Sequence, residues 1–292
     1  MDIQRKRRGK ENMISPKIEK ARITYAMRKC PTPIQEPQKL VKEAIEKHGD
    51  NIAVSCSFGS CSVVVLHMAL EVNPYIKVVF NNTGVEYPET YAYRDLLKKE
   101  WNLNLIETKP LKSFWQCVKE YGFPLIRSEY AWKKHKQAHE KPECCIFLKE
   151  KPFAKACKDF KIEATLTGLR CAESGVRMFT FAQRGMYYHT TKRGSLWRFH
   201  PIGLWTRKQV SDYLDDHGIP INQIYLKGKD RSGCMPCTGF LNWEQQLAKA
   251  NLKMYRYVQK LRKIPLLDDY IQKEDEILNI CEPSEAVKRL GD

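Results

Sequence analysis

Two pairs of closely spaced cysteines are the residues in this chain best suited to chemistry. Cys144 and Cys145 are adjacent, and Cys234 and Cys237 form a Cys-x-x-Cys motif. Four thiolates brought together by a fold would select zinc or an iron-sulfur cluster over hard cations. Consecutive side chains diverge along regular backbone, so an adjacent pair serves only at a distorted helix end or around a cluster wider than one ion. Zinc typically has two Cys-x-x-Cys clamps, so an iron-sulfur cluster is the expectation.

Three short polar loops are candidates for binding an anion. They contain Ser57, Phe58, Gly59, Ser60, Cys61 and Ser62; then Thr83, Gly84 and Glu89; and then Gly168, Leu169, Arg170, Glu173, Ser174 and Arg177. Backbone N–H groups at a helix start attract anions, and the planar fork of arginine suits phosphate or sulfate. The first loop is not a Walker loop, because no Gly-Lys-Ser/Thr follows. A plain turn and a surface Arg-Glu pair are the alternatives for these loops.

The elements around these loops alternate between helix and strand. Helices are predicted to end near His48 and to span about Ser62–Glu71 and Glu89–Trp101, and they alternate with the apolar segments IAVSCS, IKVVF and EATLTG. Thr206 and Gln209 form a capping box for a further helix that Gly218 ends. The pattern predicts an α/β fold with a mostly parallel twisted sheet and helices on both faces. Ligands of such sheets bind beyond the carboxyl ends of the strands, so the three loops should face one crevice.

Composition and charge narrow the class of protein. The 292 residues carry a formal charge of +16, which would attract polyanions such as nucleic acid or phosphate-rich metabolites, although a lysine-rich surface needs no partner. Eleven cysteines without a signal peptide or an apolar membrane span favour a reducing, cytoplasmic setting. We expect a basic lead-in element or tail over residues 1–36, a nucleotide-binding domain with the cysteine site over 37–245, and a helical segment over 246–292.

Taken together, these motifs resemble the phosphoadenosine phosphosulfate reductase family, the sulfonucleotide reductases, from about Ile52 to Phe240. The resemblance rests on Ser57-Phe58-Gly59 with 63–68, Thr83-Gly84 with 88–91, Gly168-Leu169-Arg170 with Glu173, Ser174 and Arg177, Cys144-Cys145 with Lys149, Pro152 and Ala156, the segment Pro201–Asn222, and Gly233-Cys234 with Pro236-Cys237-Thr238.

The resemblance implies an adenine nucleotide alpha hydrolase-like fold and a 4Fe-4S cluster held by the four cysteines. It implies reduction of adenosine phosphosulfate, or of its 3'-phosphorylated relative, to sulfite through an enzyme thiosulfonate that a thioredoxin-like donor discharges. The resemblance also implies that the iron-containing members of the family more often use adenosine phosphosulfate than its 3'-phosphorylated relative. Cys281 is the nucleophile available, and Arg170, Arg177 and Lys149 would bind the sulfate and stabilise the departing phosphate. We also expect a homo-oligomer.

Two departures from the family pattern keep an alternative open. Cys281 precedes Glu282 and has no following glycine, unlike the Glu-Cys-Gly tail motif of the family. Ser60 stands where the ATP-cleaving relatives have a lysine, which argues against ATP activation. The alternative is a nucleic acid modifying or binding protein that retains the fold and cluster, favoured by the basic residues Arg5–Arg8 and the segment 132–141. An inactive scaffold is a third possibility. His135 and His139 lack an acidic third ligand, so a solvated basic helix is the better interpretation there.

Overall fold

The computed structural model describes residues 14–125, 142–191 and 195–262. Within them six strands form one sheet in the order β3-β2-β1-β4-β6-β5. The strands are β1 (Ile52–Ser55), β2 (Lys77–Asn81), β3 (Asn104–Thr108), β4 (Ala164–Thr167), β5 (Tyr187–Thr190) and β6 (Leu196–Phe199). Neighbouring strands run parallel except for the pair of β5 with β6, which is antiparallel. The predicted mostly parallel sheet is confirmed.

Helices surround this sheet and connect its strands. They are α1 (Pro16–Lys29), α2 (Pro37–His48), α3 (Ser60–Val72), α4 (Pro88–Glu100), α5 (Phe114–Tyr121), α6 (Glu143–Cys145), α7 (Lys151–Asp159), α8 (Gly175–Arg184), α9 (Arg207–Asp216), α10 (Trp243–Ala250) and α11 (Leu252–Arg262). A π turn over Ile146–Glu150 joins α6 to α7. Among these described helices, none is both long and apolar enough to span a bilayer.

Both faces of the sheet are covered, because the middle residues of the central strands β1, β2 and β4 are buried whichever face they point to. Val54 and Val78 are buried with residues of α2, α3 and α9 in the main core. Ala53 and Val79 point the other way and pack with side chains of α7. Alternation of side chains across a strand therefore places one apolar set in each layer, as in other doubly covered parallel sheets.

The order of the strands locates the crevice. β1 pairs with β2 on one side and with β4 on the other, so the connections diverge to opposite sides of the sheet beyond the carboxyl ends of β1 and β4. Open α/β sheets bind ligands at such a switch point. The loop after β1 and the loop after β4 are the first and third of the predicted anion-binding loops.

The structure adds elements that the sequence pattern did not predict. The edge strand β5 has side chains that are half-buried or exposed, so it lacks the apolar run by which a buried strand is recognised. In the predicted lead-in region, α1 packs against α8 and Ala26 is fully buried. Residues 1–13 and 263–292 lie outside the described residues, and the proposed domain boundaries stay a prediction.

Candidate functional site

The loop after β1 is closed by the hydroxyl of Ser62. Its oxygen accepts hydrogen bonds from the backbone N–H groups of Ser57 (3.3 Å) and Gly59 (3.2 Å) and donates one to the Gly59 carbonyl (2.8 Å). Ser60 donates its backbone N–H to the Tyr225 hydroxyl (3.2 Å). These bonds fix a short turn at the start of α3, where the helix dipole favours an anion. Ser57 is the exposed hydroxyl of this turn.

Phe58 contributes to the loop through its backbone. It has a φ of 53°, a left-handed conformation that is uncommon for a bulky residue. Its ring is fully buried and packs edge-on against Phe80, with ring centroids 5.2 Å apart. The Phe58 carbonyl accepts a hydrogen bond from the Asn222 side chain (3.1 Å). The ring therefore anchors the turn in the core, and any contact of Phe58 with a ligand would be through the main chain.

The third loop lies directly against the first. A Cβ on Gly168 would stand 2.4 Å from the carbonyl carbon and oxygen of Cys61 and 2.6 Å from the Ser62 nitrogen. Leu169 follows, half-buried, and leads into the arginine-containing segment. The two loops thus converge as the strand order predicts, and only glycine permits this approach.

Arg170 is held by several partners. Its guanidinium lies 2.9 Å from Glu19 on α1, donates to the Trp205 carbonyl (3.0 Å) and donates to the sulfur of Cys61 (3.3 Å). The side chain is only 4% exposed. Arg170 therefore ties α1 and the β6–α9 connection to the first loop, and its predicted contact with sulfate stays a prediction.

Arg177 is more accessible than Arg170. Its side chain is 39% exposed and forms an ion pair with Glu173, one turn earlier on the chain. Ser174 caps α8 by accepting the backbone N–H of Arg177 (3.2 Å). Partial burial in the crevice, with the charge of Arg231 nearby, lowers the pKa of Arg177 to about 10. A guanidinium close to other cations in this way is suited to an anionic ligand.

The second loop contacts the Cys-x-x-Cys segment. Thr83 donates to Glu86 (2.9 Å) and accepts a hydrogen bond from the thiol of Cys234 (3.5 Å). Met235 donates its backbone N–H to the Val85 carbonyl (2.7 Å). Gly84, with a φ of 75°, is exposed at the tip of this loop. Glu89 is nearly buried and is paired with Lys227. The second loop is thus shared between the crevice and the cysteines.

All four cysteines of the two pairs line one cavity. Its lining includes Cys144, Cys145, Cys234 and Cys237 together with Lys149. The adjacent pair lies on α6, which continues directly into the π turn, where the Lys151 N–H bonds the Ile146 carbonyl. π turns occur mostly inside α-helices and often at functional sites. The distorted helix expected for adjacent cysteine ligands is therefore present.

The electrostatics of these sulfurs reflect their proximity. The hydrogen bond to Cys145 and burial raise the pKa of Cys144, and the charges of Cys234 and Cys237 raise it further. Burial raises the pKa of Cys234 to about 12 and also raises that of Cys237. Four thiolates that line one cavity repel one another unless a cation shares their charge, and a coordinating metal deprotonates thiols outright. The donor set thus fits a soft-metal centre.

Lys149 and Arg231 connect the cysteines to the crevice. Both lie over Gly233: a Cβ there would be 4.0 Å from Lys149 Nζ and 3.9 Å from the Arg231 guanidinium. The charge of Cys234 is the main cause that raises the pKa of Lys149, and the charge of Arg231 opposes it. Because Arg231 also lowers the pKa of Arg177, positive charge continues from the four sulfurs to the third loop. We call Lys149, Arg231 and Arg177 the cationic patch.

Sequence reasoning missed several residues of this region. Arg231 is exposed among many other basic residues, and nothing in its local pattern distinguishes it. Ser232 lies 3.4 Å from the Ser57 hydroxyl. Lys229 is 6% exposed, between the rings of Tyr87 and Phe240, and burial lowers its pKa to about 8. Their closeness to the Cys-x-x-Cys motif was the only available signal.

Some predicted residues lie outside the described part of the chain. Cys281, His135 and His139 belong to this group, as do the basic residues Arg5–Arg8 and the whole segment 132–141. Their assigned roles stay predictions. Among the other cysteines, Cys56, Cys117 and Cys171 are buried, and Cys61 is half-buried beside Arg170 of the third loop.

Comparison with known proteins points in the same direction as this geometry. Residues 51–240 match the family model described as the phosphoadenosine phosphosulfate reductase domain. The chain is 30% identical over 207 residues to the phosphoadenosine 5'-phosphosulfate reductase of Gloeobacter violaceus, covering 69% of this chain and 78% of that protein. It is 30% identical over 196 residues to the adenosine 5'-phosphosulfate reductase of Bacillus cytotoxicus, covering 67% of this chain and 76% of that protein.

A solved structure supports the fold. The crystal structure of phosphoadenylyl-sulfate reductase from Candida auris, in complex with phosphate, aligns with a TM-score of 0.53 and 19% sequence identity. The alignment covers 78% of this chain and 98% of that one.

Proposed function

Because the chain belongs to the phosphoadenosine phosphosulfate reductase family, we propose that it reduces an adenosine sulfonucleotide to sulfite and the adenosine nucleotide. The reaction is thiol-dependent and proceeds through an enzyme thiosulfonate. We propose adenosine phosphosulfate as the preferred substrate. The reason is that the family resemblance associates the four-cysteine motif with enzymes that use this nucleotide.

One observation carries this proposal. The cationic patch of Lys149, Arg231 and Arg177 runs from the four-cysteine cavity to the strand-end loops, where Ser57, Ser60 and Ser62 close the turn at the start of α3. A sulfonucleotide carries a phosphate and a sulfate joined through one oxygen. Helix-start N–H groups suit the phosphate, and cations close by suit the sulfate and the charge that develops on the departing phosphate.

The second part of the proposal is a 4Fe-4S cluster held by Cys144, Cys145, Cys234 and Cys237. Among the residues that the structure describes, no three of these sulfurs form a group within 4.8 Å of one another. A single zinc with Zn–S bonds of about 2.3 Å needs its sulfurs about 3.8 Å apart. A cluster wider than one ion therefore fits the donor set better. Such a cluster would order the two segments and polarise the adjoining site without changing its own redox state.

The reaction requires a cysteine thiolate. It attacks the sulfate sulfur, the bond from that sulfur to the bridging oxygen breaks, and the nucleotide phosphate leaves with the bonding electron pair. A dithiol of a thioredoxin-like donor then attacks the cysteine sulfur and releases sulfite. The donor becomes a disulfide, and the enzyme thiol is regenerated. Lys149 and Arg177 would hold the sulfate and neutralise the phosphate during the first step.

Cys281 is the proposed nucleophile, and Cys61 is the alternative within the described residues. The sulfur of Cys61 accepts a hydrogen bond from Arg170 (3.3 Å) in the first turn of α3. The same thiol also donates to the Glu173 carboxylate (3.8 Å), so it lies among the side chains of the third loop. The two cysteines can be separated by mutation.

The test is sulfite release by anaerobically purified protein whose iron and sulfide content has been measured. Both sulfonucleotides are offered to the wild type and to Cys281→Ser, Cys61→Ser and Cys157→Ser, with a dithiol as reductant. We expect sulfite from the wild type and from Cys157→Ser, the matched control away from the crevice, and none from Cys281→Ser. Loss of sulfite only in Cys61→Ser would move the nucleophile to that residue. No sulfite from either nucleotide with the iron-loaded wild type would overturn the proposal.

The nucleic acid alternative is supported by sequence features outside the described residues. It predicts salt-sensitive retention on RNA or DNA with little dependence on adenosine nucleotides. The proposed reductase predicts the opposite result. Binding of the sulfonucleotide should persist as salt rises, and added sulfonucleotide should displace the protein from RNA or DNA.

A further inference from the structure

Three metal-ligating side chains meet away from the crevice, at the far end of α3. His67 and Glu71 are one turn apart on this helix, and His217 follows α9, which packs against α3. The ligand atoms of the three side chains lie within 4.8 Å of one another. His67 is seven residues beyond Ser60, so roughly 10 Å of helix separates this group from the first loop.

Tyr213 positions both imidazoles. The Nδ1 atom of His67 lies 2.9 Å from the Tyr213 hydroxyl, and the Nδ1 atom of His217 lies 2.8 Å from the Tyr213 carbonyl. A carbonyl oxygen only accepts hydrogen bonds, so His217 must carry a proton on Nδ1. In the neutral ring, Nε2 then has a free lone pair that can bind a metal ion. Metal-ligating histidines commonly hold their second nitrogen in this way, which fixes the tautomer and the orientation of the ring.

The surroundings of the group are also suited to an ion. A cavity of about 310 Å³ is lined by His67, Leu70, Glu71, Pro74 and Trp101, so the site is open to solvent on one side. Burial lowers the pKa of His67, and the charge of Glu71 acts in the opposite direction.

We propose that His67, Glu71 and His217 form a binding site for a zinc-like divalent cation, with a fourth position open to water. Two imidazoles and one carboxylate are a ligand set that suits zinc, whereas magnesium and calcium prefer oxygen alone. Tetrahedral bonds of about 2.1 Å would bring the ligand atoms to about 3.4 Å apart. Glu71 and His217 are exposed, so their side chains can make this approach.

A purely structural role for the rings makes a different prediction. His217 stacks on Tyr213 with centroids 4.0 Å apart, and His67 lies 5.7 Å from Trp101, so the rings could simply join α3 to α9. Glu71 contributes nothing to that stack. Replacement of its carboxylate by an amide of the same size therefore separates a metal site from an aromatic contact.

The experiment uses tag-free, iron-loaded full-length protein titrated with Zn²⁺ against a chromogenic chelator. We expect one zinc equivalent whose affinity falls at least tenfold in Glu71→Gln and in His217→Ala, and also in Tyr213→Phe, which removes the hydroxyl that holds His67. His189→Ala, which removes an exposed histidine on β5, should bind as the wild type does.

Cobalt separates this site from the cysteines. Co²⁺ bound to nitrogen and oxygen gives visible bands without sulfur charge transfer, and these bands should persist in Cys234→Ser and disappear in His217→Ala. Unchanged zinc affinity in Glu71→Gln, a variant whose exposed substitution leaves the fold intact, would overturn the proposal. Cobalt bands that arise from sulfur alone would also overturn it.

Discussion

Gly168 lies directly against the backbone of Cys61, so that a Cβ on the glycine would stand 2.4 Å from the Cys61 carbonyl oxygen. Backbone cannot rotate away as a side chain can. The distance between the loops after β4 and β1 is therefore set by the absence of a side chain at position 168.

Gly168→Ala is expected to separate these loops. Overpacking of this kind costs about 1–3 kcal/mol of unfolding free energy, and we expect the affinity for adenosine phosphosulfate to fall at least tenfold. Thermal unfolding and calorimetric titration measure the two effects. Gly175→Ala is the matched control, because no atom lies within 4 Å of its Cβ position. Equal nucleotide affinity in the two variants would contradict this account of the crevice.

Arg170→Lys and Arg177→Lys should affect different properties. Lysine at position 170 keeps the charge but loses the fork that reaches Glu19, the Trp205 carbonyl and Cys61, so we expect a loss of about 1–3 kcal/mol in stability. At position 177 the side chain is 39% exposed, so stability should change by less than about 0.5 kcal/mol while KM for the sulfonucleotide rises about tenfold. Denaturant unfolding and steady-state sulfite assays test this pair. A large stability loss in Arg177→Lys would count against it.

His200 should make the protein sensitive to acid. It is 1% exposed, lies 2.6 Å from the Thr167 hydroxyl, and burial together with the charges of Arg198 and Arg177 lowers its pKa to about 3. In the unfolded chain the His200 imidazole takes up a proton near pH 6.5, its ordinary pKa. Above that pH the imidazole is neutral in both states, so the protein keeps its full free energy of unfolding. As the pH falls from about 6.5 to about 3, the unfolded state holds one more proton and stability falls by about 1.4 kcal/mol per pH unit.

His200→Gln removes the titrating imidazole and should flatten the dependence of Tm on pH between about pH 3 and about pH 6.5. His189→Gln, on the exposed strand β5, is the control and should retain the wild-type slope. Identical slopes for all three proteins would show that His200 does not supply the acid sensitivity.

Removal of the proposed cluster should loosen one region before the rest. Three of the four cysteines belong to or pack against a second core that is separate from the core of the sheet. These three are Cys144, Cys145 and Cys234, and the core includes Trp243, Leu247, Met254 and Val258 of α10 and α11. Anaerobic iron chelation is expected to increase hydrogen exchange in residues 142–150 and 233–262 while β1, β2 and β4 keep their protection. Cys234→Ser should show the same pattern without chelator. Uniform protection in iron-depleted protein would argue that iron does not connect these segments.

Much of the scaffold was accessible from sequence because its signals are local. Ile52–Ser55, Lys77–Asn81 and Ala164–Thr167 are short apolar runs that end in polar turns, and the capping box of Thr206 and Gln209 marks the start of α9. The convergence of the loops after β1 and β4 then follows from parallel pairing alone.

The remainder depends on contacts between distant parts of the chain. Glu19 lies in a region that the sequence suggested was a tail, yet it is the partner that fixes Arg170. His67 and His217 are far apart in sequence and meet only because α3 and α9 pack together. Arg231 resembles any other surface arginine until Gly233 places it beside Lys149. The periodicity of apolar residues does not predict such contacts, because they join residues far apart in the sequence.

The π turn between α6 and α7 sets the rotational phase of the adjacent cysteines. Each residue of an α-helix advances the chain by about 100° around its axis. A π turn closes on an i→i+5 hydrogen bond and so holds one residue more than an α turn. If the same five residues formed regular α-helix, the additional residue would rotate Cys144 and Cys145 by about that angle relative to α7 and carry both sulfurs away from Cys234. The π geometry of this five-residue segment is thus a condition for the four sulfurs to line one cavity.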